Sequence, residues 1–576
     1  MKEFLMDLRA RLATAINETE VRDRFCGEVY KYYGITFRLE RGRSDARLNR
    51  TILEFKNKGS FGGKIHSAKF KEAFSQLTQK YIPDQAKKEG AELWEYIGVA
   101  IDGQHYAFVF FEEDGKARHT ALIGLDVDGL PLLLDAFLRD KRRPFTTENL
   151  LEDFGPGSEL AREVLHQLWQ HLNGCLDSQE SEAQKVKMLF QEWKKLFAQT
   201  TNFGRLGQER IDTYLQRIGF GPPIDYTRAL FVLHTYNALL FKFIAAELVT
   251  TIRYKDYSGF ASEAGGSHLS ELREMLDNRI EHAEIFRANG IENFIEGSFF
   301  SWYLEKAPDD LLLAIRKMLS QLGWYIFPRS AQRRVRDVVK DVYQYLVPEA
   351  LRKNIGEFYT PEWLVDFVLD RVNYKGSLCL KTKILDPCCG SGNFLIHAID
   401  RYKQAAREQG WEDKEIANSI LQHVIGFDLN PLAVLSARLN YLLAIADILP
   451  SSGRIEIPVY LADAVYAPEQ HRNGNTSTRV YSIGTVLGNI TLELPEDLVQ
   501  QRILFGEILS VMERDVEVHE TKENFIAHLQ QNPAIRPILE KRPDWVKFLT
   551  QMYDKVYEME KRNWNRIWCR IVRNYF

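Results

Sequence analysis

Cysteine is scarce in this sequence. Six are present in 576 residues, none in a C-x-x-C pair and two of them adjacent (Cys388 and Cys389), which excludes a disulfide framework and gives no zinc-site spacing. A secretory signal is also lacking, because the opening MKEFLMDLRARLATAIN is charged and has neither a continuous apolar core nor a small-residue cleavage site. A reducing cytoplasm is the expected location. The longest apolar stretch, Ala229 to Ile252, is interrupted by His234, Lys242 and Glu247, so it is expected to be a buried core helix, and no membrane is expected as a partner. No internal repeat at solenoid spacing is visible. Apolar residues at 45% and charged residues at 27% exclude a disordered or a fibrous chain. At roughly 100–200 residues per domain the length excludes a single domain.

The net charge of −4 is uninformative until it is divided along the chain. Positions 31–90 hold fourteen Lys or Arg against six Asp or Glu, a local balance of +8. Texture also divides the sequence. Residues 1–140 alternate helices with strands, among them Ile35-Thr36-Phe37-Arg38-Leu39, Thr51 to Lys56, and the pair EYIGVAID and HYAFVFFEE about Gly103-Gln104, with a helix over Ser67 to Tyr81. Residues 145–350 read as helix, broken at Gly221-Pro222-Pro223 and Gly265-Gly266-Ser267. From Gly356 onward strands and helices alternate in the βαβ rhythm of a parallel sheet.

In the basic region, RGRSDARLNRTILEFKNKG places Asp45 nine residues before Glu54, with Glu54 and Lys56 two apart on a predicted strand and therefore on one face. Two carboxylates (Asp45, Glu54) that hold Mg²⁺ and a lysine that orients water and offsets phosphate charge are what phosphodiester hydrolysis needs. Glu28 on the preceding helix is a further candidate acid, and Gln76 lies on the polar side of the helix whose apolar stripe is Phe70, Ala73, Phe74, Leu77 and Tyr81. An E-x-K triplet alone is usually a solvated face, and it recurs at Glu192, Glu412 and Glu520. Strand context, the upstream Asp, the basic surround and the Gln-bearing helix distinguish Glu54-Phe55-Lys56. The layout resembles the PD-(D/E)xK nuclease core, and RGRSDARL followed by ILEFK resembles the nuclease domain of type IIG restriction enzymes over residues 20–115.

Farther on, Ile384-Leu385-Asp386-Pro387-Cys388-Cys389-Gly390-Ser391-Gly392-Asn393-Phe394 reads as strand, glycine turn and helix start, a place where backbone N–H groups meet a ligand. Forty-two residues after Asp386 a second strand ends at Asp428, an acid placed for ribose hydroxyls, and a third ends at Asp463. Upstream, GEFYTPEWLVDFVLD is expected to start a helix with Thr360 as N-cap and Pro361 at its first position. A dinucleotide site is disfavoured because G-x-G-x-x-G is missing. The pattern resembles the S-adenosylmethionine fold of gamma-order N6-adenine DNA methyltransferases. That resemblance puts motif X on Phe358, Tyr359, Thr360 and Pro361, motif I on Asp386, Pro387, Cys389, Gly390, Ser391, Gly392 and Phe394, motif II on Asp428 with Leu429 and Asn430 beside it, and motif III on Asp463. Cys388 departs from the usual small residue.

Motif IV, Asn/Asp-Pro-Pro with an aromatic, is not found: Pro222-Pro223 lies before motif I, and Asn532-Pro533 continues with Ala and Ile. The terminal NWNRIWCRIVRNYF is expected to be an amphipathic helix with Trp564, Ile567, Trp568, Ile571 and Val572 on its apolar face. The expectation is thus an α/β protein of three parts: a PD-(D/E)xK nuclease-like domain (1–140), a helical connector (145–350) and the first part of a Rossmann-like adenine methyltransferase domain (351–576). The resemblance implies restriction-modification on double-stranded DNA with S-adenosylmethionine and Mg²⁺. Without motif IV the chain alone is expected to transfer no methyl group. A second chain carrying that motif and target recognition, or a nuclease with S-adenosylmethionine as effector, are the alternatives.

Overall fold

A computed structural model describes residues 2–39, 45–112, 115–138, 142–180, 183–197, 208–221, 224–253, 259–295, 299–326, 360–449, 454–466, 468–473, 476–485 and 488–561. Helices α1 (Lys2–Leu12) and α2 (Glu18–Tyr33) open the chain, α2 capped by Asn17, whose side chain accepts from the Glu20 N–H, and stopped by Gly34 in left-handed backbone at φ 68°. Strands β1 (Arg38–Leu39), β2 (Asp45–Leu48) and β3 (Thr51–Phe55) come next, then α3 (Ala68–Gln76), a π-helical turn Leu77–Tyr81 and α4 (Ile82–Glu89). Strands β4 (Ile97–Ile101), β5 (His105–Phe111), β6 (Ala117–His119) and β7 (Ile123–Gly124) and helix α5 (Gly129–Leu138) complete the unit.

The sheet order is β1-β2-β3-β4-β5-β6, with β7 also on β5. Pairing is antiparallel except between β3 and β4, which run parallel because α3 and α4 make the crossover between them. Alternation sorts the residues of β3. Leu53 and Phe55 pack with Phe25, Val29 and the α5 side, whereas Ile52 packs with Phe70, Leu77 and the α3 side. Glu54 shares the parity of Ile52 and so faces α3.

Among the described residues the middle of the chain is helical except for two short parallel strands, β8 (Arg143–Pro144) and β9 (Tyr325–Ile326). Its spine is the helix Tyr226–Arg253, whose segment Tyr226–Thr250 is long and apolar enough to cross a bilayer but has its most apolar window wholly buried in protein. Two attachments tie this region to the N-terminal unit. Trp324 packs edge-on to Phe108 at 4.9 Å and donates its indole N–H to Asp135 at 2.6 Å. The Arg142 guanidinium donates to the carbonyls of Phe111 and Tyr325, both at 3.0 Å. Truncating a buried Trp of this kind costs about 3–5 kcal/mol.

The helical region is also joined to the C-terminal part of the chain. Asn293 donates its side-chain amide to Ile457 O and accepts from Ile457 N, while buried Arg438 bridges the carbonyls of Val459 and Phe294. One apolar core runs continuously from Phe145 through the helix Tyr226–Arg253 to Met559. Beyond it, β10 (Ile384–Asp386), β11 (Val424–Asp428) and β12 (Val459–Leu461) form a parallel sheet in that order, with helices Asn393–Glu408 and Pro431–Ile445 as crossovers.

The expected βαβ rhythm stops at β12. Strands β13 (Glu469–Asn473), β14 (Thr476–Thr485) and β15 (Gly488–Pro495) are an antiparallel meander, and residues 496–561 are helical. The physical reason lies in the connections. Asn473 pairs with Thr476 and Thr485 with Gly488, so only two residues separate each strand from the next, too few for the long crossover that a parallel connection requires. The expected terminal amphipathic helix, with Trp564, Trp568 and Ile571, lies outside the described residues.

Candidate functional site

Two clusters bring chemistry together, one at each end of the chain. In the first, Lys56 leaves β3 on the same face as Glu54, and its buried ammonium donates to Glu54 Oε1 at 2.9 Å, Glu72 Oε1 at 2.8 Å and Gln76 Oε1 at 2.6 Å. Burial opposes this charge, yet the hydrogen bonds that the ammonium donates to Glu72 and Glu54 outweigh it and hold the ammonium above the usual lysine range. Glu72 is shifted the other way, kept ionised by Lys56 and then by Lys69. Glu18, at the start of α2, stands 3.7 Å from the ammonium.

Glu54, Lys56 and Gln76 are therefore gathered at one point, and Asp45 is the antiparallel register partner of Glu54. Glu28 is not with them. It is buried and paired with Arg11 at 2.6 Å and Lys31 at 3.7 Å, because its stretch of α2 packs on the Leu53 and Phe55 face while Glu54 points to the opposite one. The sequence reading missed Glu72 and Glu18. Glu72 was legible, since it sits four residues before Gln76 on one helix and shares its face. Glu18 was not, because only the docking of α2 on the sheet brings it near.

In the second cluster the strand β10, a glycine turn and the helix Asn393–Glu408 succeed one another as expected. Gly390 (φ 54°) and Gly392 (φ 86°) both adopt left-handed backbone, the conformation that lets the turn reverse within three residues. Asp428, at the end of β11, accepts from Gly390 N and Asn430 N, both at 2.8 Å. Burial raises its carboxyl while these backbone N–H groups pull it back. Asp386 is likewise raised by burial, opposed by the Cys388 N–H that it accepts. The Cys388 thiol is pushed up by burial and by Asp428, Asp386 and Asp463 together, so three carboxylates converge on this turn.

Support comes from below. Asn440, fully buried on the helix Pro431–Ile445, donates to Ser391 O at 2.9 Å, and Gly426 of β11 leaves room for the Cys389 side chain of the turn, which a Cβ there would meet at 3.1–3.2 Å. The entry helix differs from expectation. It spans Glu362–Arg371 with Pro361, not Thr360, at the N-cap and no side-chain cap. The Thr360 carbonyl is instead held by Asn393, which donates to it at 2.7 Å and ties the entry segment to the turn. Phe358 and Tyr359 lie outside the described residues. Leu429 is partly exposed beside Asp428, and Pro387 and Phe394 flank the turn.

The N-6 DNA methylase family model matches residues 334–471, which contain the whole of this second cluster. Residues 334–471 thus match an N6-adenine methyltransferase domain. Within its methylase region the chain is similar to the adenine-specific methyltransferase PglX of Streptomyces coelicolor, 34% identical over 137 residues, which is 21% of this chain and 11% of that protein. It is also similar to the Type I restriction enzyme MjaIX methylase subunit of Methanocaldococcus jannaschii, 29% identical over 154 residues, 24% of this chain and 25% of the subunit. The chain thus spans a quarter or less of these relatives' lengths. Among solved structures it is similar to the ATP-dependent Type ISP restriction-modification enzyme LlaBIII bound to DNA, 14% identical with a TM-score of 0.30, over 69% of this chain and 22% of that one. Methylases of this family use S-adenosylmethionine. The donor set of the turn fits it: converging carboxylates suit a cationic cofactor that also carries a ribose diol.

Proposed function

We propose that the chain is a restriction-modification protein acting on double-stranded DNA, in which the methylase domain binds S-adenosylmethionine for N6-adenine methylation and the N-terminal unit is a Mg²⁺-dependent endonuclease. The observation that carries the methylase half is Asp428 locked onto Gly390 and Asn430 inside the region matched to the family. In this reading Asp428 serves the ribose hydroxyls, the turn from Asp386 through Pro387, Cys389, Gly390, Ser391 and Gly392 to Phe394 cradles the methionine end, and Asp463 and Leu429 border the adenine.

For the nuclease half the support is Lys56 gathered with Glu54 and Gln76 at the end of β3, with Asp45 opposite Glu54 across the strands. Asp45 and Glu54 would hold Mg²⁺, which supplies charge neutralisation at the scissile phosphate when bound. Lys56 and Gln76 orient the attacking water and take up charge there. Residues 1–140, the helical connector and the methylase region are read as three working parts.

Free pairing capacity at β10 favours a second polypeptide. Among the described residues β10 pairs with β11 alone, Leu385 is 52% exposed, and Trp363 and Phe367 on the entry helix and Val372 at its C-terminal cap are 70%, 49% and 63% exposed. Adenine methylation needs acceptors on the amino group and a ring to stack the extruded base. In this reading they arrive on a strand added at that edge. The test is calorimetric titration of the purified chain with S-adenosylmethionine, together with a tritiated-methyl transfer assay on mixed-sequence DNA. Binding without transfer is expected. An absence of binding removes the methylase half, and robust transfer by the chain alone removes the need for the added strand.

A further inference from the structure

The cations around Lys56 fall into two sets. Arg47, Arg50 and Lys69 are paired, with Glu89, Glu95 and Glu72 respectively. Lys58, Lys64 and Lys71 are exposed and, among the described residues, make no ion pair. All three belong to one stretch of chain, the loop 57–67 between β3 and α3 and the first turn of α3.

That loop is held firmly. Gly59 N donates to Asp102 O at 3.0 Å and Phe61 N to the buried Asp102 carboxylate at 2.9 Å, while the fully buried Phe61 ring stands edge-on to Phe70 at 5.5 Å. Its tip is open: Gly62 and Gly63 are in left-handed backbone, and nothing lies within 4 Å of where a Cβ would stand on either. The loop leaves directly from Lys56 and enters the helix that returns Glu72 and Gln76 to it. Two ammonium groups on this anchored loop and one on the first turn of α3 thus stand without ion-pair partners among the described residues, beside that cluster. An extended polyanion satisfies them, because each phosphodiester can meet one ammonium, and the bare glycine tip allows its backbone to come close.

We propose that the loop 57–67 and the first turn of α3 grip the sugar-phosphate backbone of duplex DNA, with Lys58, Lys64 and Lys71 each on a phosphate and without reading bases. The proposal rests on the nuclease reading for what its neighbour does, but its test does not. The full chain and its Lys58→Ala/Lys64→Ala/Lys71→Ala variant are titrated with a 30-base-pair duplex of mixed sequence in EDTA across a salt series. Loss of three phosphate contacts should flatten the log affinity against log salt plot by about 2–3 and weaken binding about ten- to hundredfold at low salt. A Lys87→Ala/Lys88→Ala/Lys541→Ala control, which removes the same charge elsewhere, should keep the wild-type slope.

A wild-type slope in the loop variant, equal losses in loop and control variants, or no duplex binding by the wild type would each overturn the grip. Lys56→Ala assayed in Mg²⁺ separates the two readings. If DNA is held through the loop but never cut by the wild type, the nuclease reading fails and the grip stands.

Discussion

At the methylase turn Asp428 is held by main-chain N–H groups of Gly390 and Asn430, whereas at the N-terminal cluster Lys56 is held by side chains arriving from one strand and one helix. Asp428 ends β11 and clamps the turn that follows the neighbouring β10, 38 residues away in sequence, so the paired strands, the turn and the acid hold together through main-chain contacts. A lysine fixed by Glu72 and Gln76 depends on how α3 docks, and the partners on that helix can be changed singly without disturbing the sheet.

The comparison is broken most severely at Lys56. Lys56→Ala is expected to lower Mg²⁺-dependent DNA cleavage by about 10²–10³-fold, the usual loss when a preorganised charge at a reacting phosphate is removed. Calorimetry should give the wild-type S-adenosylmethionine affinity, since the turn shares no residue with this cluster. Cleavage at the wild-type rate would remove Lys56 from the chemistry.

Asp428→Asn tests the other side. Losing a charged hydrogen bond is worth about 1.5–3 kcal/mol, roughly ten- to hundredfold in S-adenosylmethionine affinity. Because the same carboxylate holds the Gly390 and Asn430 N–H groups, their hydrogen exchange should also quicken in the absence of cofactor. An unchanged affinity together with unchanged exchange would mean that the turn holds itself.

A smaller effect is expected at Glu72, which keeps the Lys56 ammonium above its usual range. Glu72→Gln should move the alkaline limb of the cleavage pH profile downward and cost about tenfold or less in rate, since one charged partner of several is lost. Glu72→Asp should restore part of the shift. A profile that does not move would reduce Glu72 to an ordinary ion pair.

The smallest effect concerns the junction between the two regions. Burial pushes the Glu247 carboxyl up to about 8, opposed by the Ala261 N–H that it accepts. The folded chain then retains a proton that the unfolded chain releases near pH 4.3, so this group's stabilisation is full below that pH and is lost as pH rises toward about 8. The Tm of the wild type minus that of Glu247→Gln should therefore decline by a few degrees between about pH 4.5 and 8. A flat difference would show Glu247 ionised beside Arg142.

Much of both sites was legible because their residues lie close along the chain. Glu54 and Lys56 share a strand face by parity, and Asp386 to Phe394 is a local strand, turn and helix start, so short-range geometry sufficed. The misses came from contacts across elements. Glu28 was a plausible acid on its helix until α2 packed on the wrong face of the sheet, and Glu18 and Asn440 acquired their roles only by docking. The change from parallel to antiparallel pairing after β12 was written in Asn473-Gly474-Asn475, a hairpin signal that the preceding βαβ rhythm obscured.

By itself the sequence determined the glycine turn, the strand parity and the buried character of the helix Tyr226–Arg253, because each arises from backbone conformation or from periodicity within a few residues. The tertiary structure alone decided that Glu18 reaches Lys56, that Arg142 and Trp324 join the N-terminal unit to the helical region, and that Arg438 and Asn293 join that region to the methylase domain. Those contacts link positions up to 189 residues apart, and no local preference specifies a partner at such a separation. They are chosen when buried polar groups must find hydrogen bonds in the one packed arrangement that also closes the core.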